Sequence, residues 1–194
     1  IFNLIDIAYP QNLETKIFLK KLDVKHIRSI GNLKFIDNDQ HRYNKIDKNL
    51  FSQFKNHEIF IAASTHDKEE LFAAKVHKIL KKRKKNLITI IIPRHINRVG
   101  QIINETKSLD LNIITHSSKN KKLKDIDIYI VDTFGESKKF YKISTSVFLG
   151  GSIVNKGGQN PLEPARFGAK IFHGPNVDNF KEVYNYLDNL KISK

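Results

Sequence analysis

Short apolar runs rich in β-branched residues alternate along the chain with segments in which apolar residues recur every three or four positions. This alternation is typical of a parallel sheet whose strands are joined by helices. Six runs are predicted as buried strands: residues 59–63, 87–92, 112–115, 126–131, 147–149 and 170–172. The pattern therefore predicts an α/β fold, with a Rossmann-like parallel sheet flanked by helices.

The segment between the first two predicted strands has the pattern of an amphipathic helix. Acidic side chains occupy its predicted first turn, where they complement the positive end of the helix dipole, and a basic run at 81–85 closes it. The acidic residues are Asp67, Glu69 and Glu70, and the apolar residues that share one face are Phe72, Val76, Ile79 and Leu80. The spacing predicts a helix with these four residues on its apolar face.

The first part of the chain follows a different pattern. Residues 1 to about 30 are predicted to form a small separate unit, with a strand at 2–8, a helix that begins at Pro10 and a strand at 24–30. Residues 37–57 are polar, apart from a short stretch with apolar spacing at Ile46, Leu50 and Phe54. That composition indicates a connection between domains. The prediction is a division into 1–36, 37–57 and 58–194.

Charge and composition narrow the classes of partner. The chain has 34 Lys and Arg against 20 Asp and Glu, so its formal net charge is +14. A field of this sign favours nucleic acid, an anionic membrane surface or a phosphorylated small molecule. The chain contains no cysteine, which excludes disulfides, thiolate nucleophiles and cysteine zinc sites. No apolar run reaches about 18 residues, so the sequence predicts no spanning helix.

The most informative segment is a glycine-rich loop between a predicted strand and a predicted helix. Glycines 150–151 follow the strand, and residues 155–165 read Asn-Lys-Gly-Gly-Gln-Asn-Pro-Leu-Glu-Pro-Ala. Paired glycines let a backbone approach a ligand closely, and the free N–H groups at a helix N-terminus attract phosphate. A purely structural interpretation is also open: Asn160 as the N-cap, Pro161 as the first helical residue and Glu163 in a capping box.

Three further loops carry residues suited to a nucleotide ligand, and each follows a predicted strand. Pro93 and Arg94 follow the second strand, where Arg94 either holds a phosphate or is a plain exposed arginine on a basic protein. Ser64 and Thr65 follow the first strand and either contact a ligand or cap the next helix. Residues 131–136 end the fourth strand and either line a ligand site or form a plain turn. Because the carboxyl ends of parallel strands border one crevice, the loops together predict a nucleotide-sugar site.

In this order the motifs resemble those of the bacterial 3-deoxy-D-manno-octulosonic acid (Kdo) transferase family. The resemblance covers nearly the whole chain. It rests on Gly-Asn-Leu-Lys-Phe at 31–35, Ala-Ser-Thr-His at 63–66 with paired glutamates after it, Pro-Arg-His at 93–95, Asp-Thr-Phe-Gly-Glu at 132–136, Gly-Gly-Ser at 150–152 and the segment 157–165. The chain departs from the family at Gln159, where a histidine is usual, and at 176–178, where Asn-Val-Asp replaces a His-Thr-Phe stretch.

The resemblance implies the C-terminal, donor-binding half of a GT-B glycosyltransferase. Such an enzyme takes CMP-Kdo as donor and transfers Kdo to a lipid A precursor in lipopolysaccharide core synthesis, with inversion at the anomeric carbon and without a metal or other cofactor. Residues 1–36 are then the end of the N-terminal acceptor domain and its linker, residues 37–57 the interdomain connection, and residues 58–194 the donor-binding domain, truncated at its C-terminus. The implied location is the cytoplasmic face of the inner membrane, on an anionic lipid surface.

The resemblance also implies roles for the loop residues. Pro93 and Arg94 would hold the CMP phosphate, and Glu163 would accept hydrogen bonds from ribose hydroxyls. The implied donor-binding residues are Pro93, Arg94, Phe134, Gly135, Glu136, Asn160, Pro161, Leu162 and Glu163, with Phe134 to Glu136 at the cytidine and Asn160 to Glu163 at the phosphate and ribose. Ser64, Thr65, Gly151 and Ser152 are secondary candidates near the donor.

No catalytic residue is expected in this chain, because the family's catalytic base is a glutamate of the N-terminal domain. The chain contains no methionine, even at its first position, which we interpret as the mark of a fragment that binds donor without transferring it. Two alternatives remain open from the sequence. One is a basic nucleic-acid-binding module, favoured by the net charge and the run at 81–85 and disfavoured by the lack of aromatics interleaved with arginine. The other is a non-catalytic remnant of a split gene.

Overall fold

The computed structural model describes residues 2–30, 46–119 and 122–194. The chain divides into two compact units, Ile1–Arg42 and Tyr43–Lys194. The predicted linker motif at 31–35 and residues 37–45 of the predicted connection lie outside the described residues. The functional division into 1–36, 37–57 and 58–194 therefore stays a prediction.

The described part of the smaller unit contains a short 3₁₀ segment, Phe2–Leu4, and one α-helix, α1 (Leu13–Lys21). The helix begins after Asn12, whose side-chain oxygen accepts a hydrogen bond from the N–H of Thr15 at 2.8 Å. Asn12 thus provides the cap, whereas a helix that began at Pro10, the predicted position, would have no such side-chain cap from Tyr9. Pro10 instead lies outside the helix.

The two strands predicted in the smaller unit, at 2–8 and 24–30, are wrong. A single parallel bridge between Ala8 and Ile27 stands in their place. Among the described residues of this unit, Val24 is the one buried hydrophobic side chain, while large apolar residues such as Leu4 and Leu13 are exposed. Since a sheet needs a face buried against another layer, these short apolar runs do not build one here.

The larger unit contains a six-stranded parallel sheet with helices on both faces, which confirms the predicted fold class. The strands are β1 (Glu58–Thr65), β2 (Leu87–Pro93), β3 (Ile113–Thr115), β4 (Ile128–Ile130), β5 (Ser146–Leu149) and β6 (Lys170–Phe172). The helices are α2 (Lys48–Phe54), α3 (Glu69–Lys81), α4 (Val99–Thr106), α5 (Ser137–Tyr141), α6 (Leu162–Arg166) and α7 (Lys181–Asn189). Along the sheet the order is β3-β4-β2-β1-β5-β6.

The core lies on both faces of the central strands. All seven residues of β2 are buried, as expected for an inner strand of a parallel sheet that is covered on both sides. One face packs against α2, α5 and α7, and the other packs against α3 and α4. Each fully buried isoleucine of β2 contributes on the order of 2 kcal/mol through burial, so these strands anchor the loops that follow them.

The strand order across the sheet reverses at β1. From β1 the chain continues on one side with β2, and it later returns to the opposite side of β1 with β5. The helices that follow β1 and β5 pack on opposite faces: Ala73 and Ala74 of α3 belong to one core cluster, whereas Ala165 of α6 packs against the other. In parallel sheets such a reversal opens a crevice at the carboxyl ends of the two strands, and ligands bind there.

Helix α3 follows β1 as the sequence predicts, but it begins at Glu69, so Asp67 lies before its first turn, and its buried face differs from the predicted one. The buried side chains are Glu69, Glu70, Ala73, Ala74 and His77. Of the four residues predicted on the apolar face, Phe72 and Ile79 are exposed, and Val76 and Leu80 are half-buried. The small alanines let the helix approach β1 and β2 closely, and Phe72, Val76 and Leu80 line an apolar groove of about 640 Å³ beside β5 and β6.

The later part of the predicted connection, 46–57, forms α2 and packs into the larger unit. Asp47 caps the helix by accepting hydrogen bonds from the N–H groups of Asn49 and Leu50, at 2.9 and 3.2 Å. Leu50 and Phe54, the residues with apolar spacing, are buried in the core. The Phe54 ring packs edge-on at 5.3 Å from that of Tyr129. The apolar spacing thus marks a core helix on the sheet.

Candidate functional site

The loops singled out by sequence follow β1, β2, β4 and β5, and all four lie at the carboxyl edge of the sheet. Backbone hydrogen bonds fix three of them side by side. The N–H of Arg94 donates to the carbonyl of Thr65 at 2.9 Å, and the N–H of Gly150 donates to the carbonyl of Ala63 at 2.8 Å. On the far side of β2, the N–H of Val131 donates to the carbonyl of Ile91 at 2.8 Å. The structure therefore brings the predicted loops to one edge.

The end of β1 contains an irregularity at the centre of this edge. Ser64 has a φ of +53°, in the left-handed region, and the pairing register with β2 shifts between Ala63 and Thr65. A non-glycine residue in this conformation is strained and persists when its surroundings hold it there. Ser64 is half-buried and Thr65 is fully buried. Of these two secondary candidates, Ser64 is therefore the more accessible to a ligand.

Glycine at position 150 is required by the close approach of this strand end. A Cβ atom there would lie 2.5 Å from the carbonyl oxygen of Ser64 and 2.5 Å from the Cα of Thr65. Its neighbour Gly151 has a φ of +67°, which side chains rarely tolerate. The loops after β1 and β5 are thus in backbone contact, and the crevice between them is narrow at its base.

Glu69 joins the same two loops through its buried carboxylate. It accepts hydrogen bonds from the backbone N–H groups of Gly151 at 2.7 Å, His66 at 2.9 Å and Ile153 at 3.0 Å. The N–H groups of Ser152 and Val154 add longer bonds, at 3.2 and 3.4 Å. These hydrogen bonds are charge-assisted. They occupy backbone N–H groups of the glycine-rich loop, which the sequence predicted to bind a ligand phosphate. Gly151 and Ser152 therefore shape the crevice while their N–H groups bind Glu69.

Two arginines of this edge have different surroundings. Arg98 is clamped by acidic side chains, with one nitrogen 2.8 Å from Asp67 Oδ1 and the other 2.9 Å from Glu70 Oε1. Glu70 is fully buried; burial raises its pKa, and the charge of Arg98 and its hydrogen bond oppose that rise. Arg94 is exposed, and no carboxylate of the described residues lies within 4 Å of it. Its guanidinium is therefore available to an anionic ligand, next to buried Pro93.

The loop after β4 places its candidates beside β2. Phe134 is 83% exposed, which suits a ring that stacks on a ligand rather than a core residue. Gly135 has a φ of +77° and open space around it. The carboxylate of Glu136 pairs with Lys139 and lies 3.5 Å from Nε2 of His116, which follows β3. Glu136 is therefore held by Lys139 and by the ring of His116 within this loop region.

The segment at 160–163 starts α6 one residue later than predicted. The helix runs over Leu162–Arg166, and Pro161 takes the capping position. Asn160 still acts locally, since its side-chain oxygen accepts a hydrogen bond from the N–H of Leu162 at 3.1 Å. Glu163 is half-buried and faces Tyr141, whose pKa is raised first by burial and then by the charge of Glu163.

Some residues of this edge were missed as site residues by sequence reasoning. Glu69 had been assigned only to the helix dipole, because a sequence pattern does not show that a first-turn carboxylate reaches a loop far along the chain. His66 and His95 were seen as parts of motifs, yet their rings lie 5.7 Å apart, edge to face. His116 follows a short edge strand with no distinctive motif. Lys156 gave no signal beyond its place in the glycine-rich segment.

The basic run at 81–85 lies away from this edge, at the other end of α3. Two of its lysines are paired: Lys81 lies 3.0 Å from Asp127 Oδ1, and Lys84 forms an ion pair with Glu58. These pairs reduce the field that the run presents to a polyanion. Within the part of the chain that the structure describes, no helix has the length and apolar character needed to cross a bilayer.

Comparison with known proteins gives several 3-deoxy-D-manno-octulosonic acid transferases among the relatives of this chain. The 3-deoxy-D-manno-octulosonic acid transferase of Haemophilus influenzae is 32% identical over 158 residues, 81% of this chain and 37% of the relative. That of Rickettsia felis is 34% identical over 164 residues, covering 84% and 35%, and that of Aquifex aeolicus is 30% identical over 187 residues, covering 96% and 48%. The chain thus spans between a third and a half of these curated relatives. No family model matches it.

A solved structure agrees with these relatives. The crystal structure of the C-terminal CMP-Kdo binding domain of WaaA from Acinetobacter baumannii superposes with a TM-score of 0.67 and 25% identity, over 73% of this chain and 77% of that domain. The parallel sheet, its loop-lined carboxyl edge and this likeness define a Rossmann-like domain of a GT-B glycosyltransferase. The chain is a homologue of the Kdo transferases, and within them it resembles the C-terminal domain. The family resemblance stated from the sequence is confirmed.

Proposed function

We propose that this chain binds CMP-Kdo and forms the donor-binding part of a Kdo transferase. The observation that carries the proposal is the likeness to a CMP-Kdo binding domain, in sequence and in fold. Arg94 supports it independently, since it is an exposed guanidinium without a carboxylate partner at the edge where parallel sheets bind ligands. The shape of the crevice, set by Gly150 and Glu69, gives the ligand a rigid floor.

Each candidate residue has a role in this proposal. Arg94 binds the phosphate of CMP through paired hydrogen bonds, and Pro93 fixes the backbone that carries it. Phe134 stacks on the cytosine, with Gly135 leaving room for the base and Glu136 lining that site. Asn160, Pro161 and Leu162 form the turn that faces phosphate and ribose, and Glu163 accepts from ribose hydroxyls. Ser64 and Gly151 border the donor from the β1 and β5 side, and the fully buried Thr65 and Ser152 support these two loops.

The reaction proposed for the whole enzyme is an inverting transfer of Kdo to a lipid A precursor. A hydroxyl of the acceptor attacks the anomeric carbon as the bond to the CMP phosphate breaks, and a base takes the hydroxyl proton. We assign no residue of this chain to that base, and we assign acceptor binding to a separate N-terminal domain. The contribution of Arg94 is electrostatic, because negative charge grows on the departing phosphate. No metal or other cofactor is invoked.

The net charge of +14 suits a place at an anionic membrane, and the proposed location is the cytoplasmic face of the inner membrane. Each Lys or Arg close to such a surface contributes about 1 kcal/mol. Within the run at 81–85, Lys82, Arg83 and Lys85 are exposed and remain after the two paired lysines are discounted. Changing these three to glutamine should weaken co-sedimentation with anionic vesicles at low salt, and unchanged sedimentation contradicts this contribution.

The direct test is calorimetric titration of the chain with CMP and with UMP. We expect CMP to bind more tightly than UMP, and Arg94→Ala to weaken CMP binding by about tenfold to a hundredfold, as loss of a charge-assisted contact does. Arg83→Ala removes the same charge from an exposed position near the far end of α3 and should leave the affinity unchanged. Absence of CMP binding by the folded chain contradicts the proposal. Salt-sensitive RNA binding that CMP does not compete with supports the nucleic-acid alternative instead.

A further inference from the structure

Beside Arg94 the carboxyl edge contains a second concave region, a pocket of about 340 Å³. It opens between the end of β1 and the loop that follows β5. The residues that line it are His66, Asp67, Lys68, His95, Arg98, Val154 and Lys156. None of the donor-binding residues proposed above lines this pocket, although Gly151 and Arg94 are close neighbours of it.

Three polar side chains converge on one point next to the pocket, marked by Gly151. A Cβ atom built on Gly151 would lie 3.4 Å from Cδ2 of His66, 3.3 Å from Cβ of Lys156 and 3.3 Å from Nε2 of Gln159. The Nε2 atom of His66 is shielded from solvent and has no hydrogen-bond partner among the described residues. A shielded polar atom without a partner is unfavourable, and a ligand oxygen between His66 and Lys156 would satisfy it.

The charges around this point leave it electropositive. The acidic residues nearby are already engaged: Asp67 pairs with Arg98, and the carboxylate of Glu69 accepts five backbone N–H groups. Lys156 is exposed, with no carboxylate of the described residues within 4 Å. Burial lowers the pKa of His66; Glu69 opposes this, and the neighbouring side chains of His95, Lys156 and Arg94 lower that pKa further. A neutral imidazole can still donate one N–H to an anion.

The donor of the proposed function carries two anions close together. Kdo is an ulosonic acid, so its carboxyl carbon is bonded to the anomeric carbon that bears the phosphate of CMP. We propose that the pocket binds this carboxylate, with Lys156 and Nε2–H of His66 as donors and with Gln159 beside them, while Arg94 takes the phosphate. This inference rests on the proposed function. It adds that the chain selects an acidic sugar over a neutral one, because a neutral sugar leaves the cationic pocket without a partner.

The test compares two ligands that differ by the acidic sugar. The 194-residue chain is titrated with CMP and with freshly prepared CMP-Kdo, as wild type and as the variants Lys156→Gln and His66→Gln. We expect both variants to keep the wild-type affinity for CMP within about twofold and to weaken CMP-Kdo binding by about tenfold or more. Lys75→Gln removes the same charge from an exposed position of α3 and should change neither affinity.

The outcomes separate this inference from the function on which it rests. Equal losses for CMP and CMP-Kdo, or no loss for either ligand in Lys156→Gln, overturn the carboxylate site and leave donor binding in place. A folded wild-type chain that binds neither ligand overturns the proposed function and the inference together. Urea unfolding of each variant checks the fold; Lys156 is exposed, so its variant should match the wild type even where His66→Gln is less stable.

Discussion

The carboxylate of Glu69 accepts a hydrogen bond of 2.7 Å from the backbone N–H of Gly151, 82 residues further along the chain. The first residue belongs to the helix after β1 and the second to the loop after β5, the two strands that border the crevice. A buried carboxylate thus connects the walls of the proposed donor site. The shape of the site is therefore coupled to the stability of the domain.

Replacing Glu69 with glutamine should destabilise the larger unit strongly. The amide keeps the size of the side chain but loses the charge, and its NH₂ group cannot accept hydrogen bonds from the surrounding N–H groups. We expect a loss of about 3 kcal/mol in the free energy of unfolding, since buried donors lose their acceptor. Urea denaturation followed by circular dichroism measures it.

The matched control for this change is Glu182→Gln. Glu182 also lies in the first turn of a helix, α7, but it is exposed. Its replacement should change stability by less than about 0.5 kcal/mol. Equal stability of the two variants would show that the loop connection through Glu69 contributes nothing beyond an ordinary helix-dipole interaction.

The two arginines of the carboxyl edge should separate stability from binding. Arg98→Gln leaves the buried carboxylate of Glu70 without its cation, so we expect a loss of about 3 kcal/mol in the free energy of unfolding. Arg94→Gln removes an exposed cation and should leave stability within about 0.5 kcal/mol. Thermal and urea unfolding of the two variants measure the difference. Glu70→Gln added to Arg98→Gln should restore part of the loss, and no restoration argues against the buried pair as its cause.

The positions of the strands could be predicted from the sequence because buried parallel strands are nearly continuous apolar runs. The second strand, predicted at 87–92, is observed as Leu87–Pro93, and the last agrees at both ends, Lys170–Phe172. The run at 126–131 shortens to Ile128–Ile130, since pairing with neighbours, rather than composition, decides where a strand ends. The gathering of the candidate loops at one edge followed from the parallel order alone.

Contacts between segments far apart in the sequence could not be predicted in the same way. The buried face of α3 uses Ala73 and Ala74, whose small side chains give a weak periodic signal beside Phe72 and Ile79. The hydrogen bonds of Glu69 join segments that a local pattern cannot relate. Likewise, the closeness of Lys156 to His66 depends on how the glycine-rich loop folds back over the end of β1. The sequence thus indicates the edge of the sheet at which the candidate site lies, and the structure adds the hydrogen bonds and ion pairs within it.

Alanine at position 150 should be poorly tolerated. Its Cβ would overlap the backbone of Ser64 and Thr65 at 2.5 Å, and backbone atoms cannot move aside as a flexible side chain does. We expect Gly150→Ala to lower the free energy of unfolding by about 2 kcal/mol or more and to weaken CMP binding, because the walls of the crevice are pushed apart.

The control is the same substitution at a glycine where an added Cβ would contact no other atom. Gly100, in α4, has no atom within 4 Å of a built Cβ, so Gly100→Ala should stabilise the domain by about 0.5 kcal/mol through helix propensity. The two substitutions add the same methyl group, and chemical denaturation should therefore give opposite signs. Similar small effects for both would contradict the close approach at Gly150.

His77 should make the stability of the domain dependent on pH. Its side chain is fully buried, with Nδ1 2.9 Å from Thr89 Oγ1 and Nε2 3.3 Å from Asp127 Oδ1. Burial lowers the pKa of His77 below the ordinary value of 6.5; Asp127 opposes this shift, and Lys81 adds to it. In the unfolded chain the imidazole takes up a proton as pH falls through 6.5, whereas in the folded chain it stays neutral to lower pH.

The sign of the effect follows from this difference in proton uptake. The contribution of His77 is fully present above pH 6.5 and is lost as the pH falls toward the lowered pKa of the folded state. His77→Gln cannot titrate, so the stability difference between wild type and variant should narrow from pH 8 to pH 5. Urea unfolding at both pH values measures it, and other histidines such as His66 contribute equally to both proteins. A difference that stays constant or widens at pH 5 contradicts a neutral, buried His77.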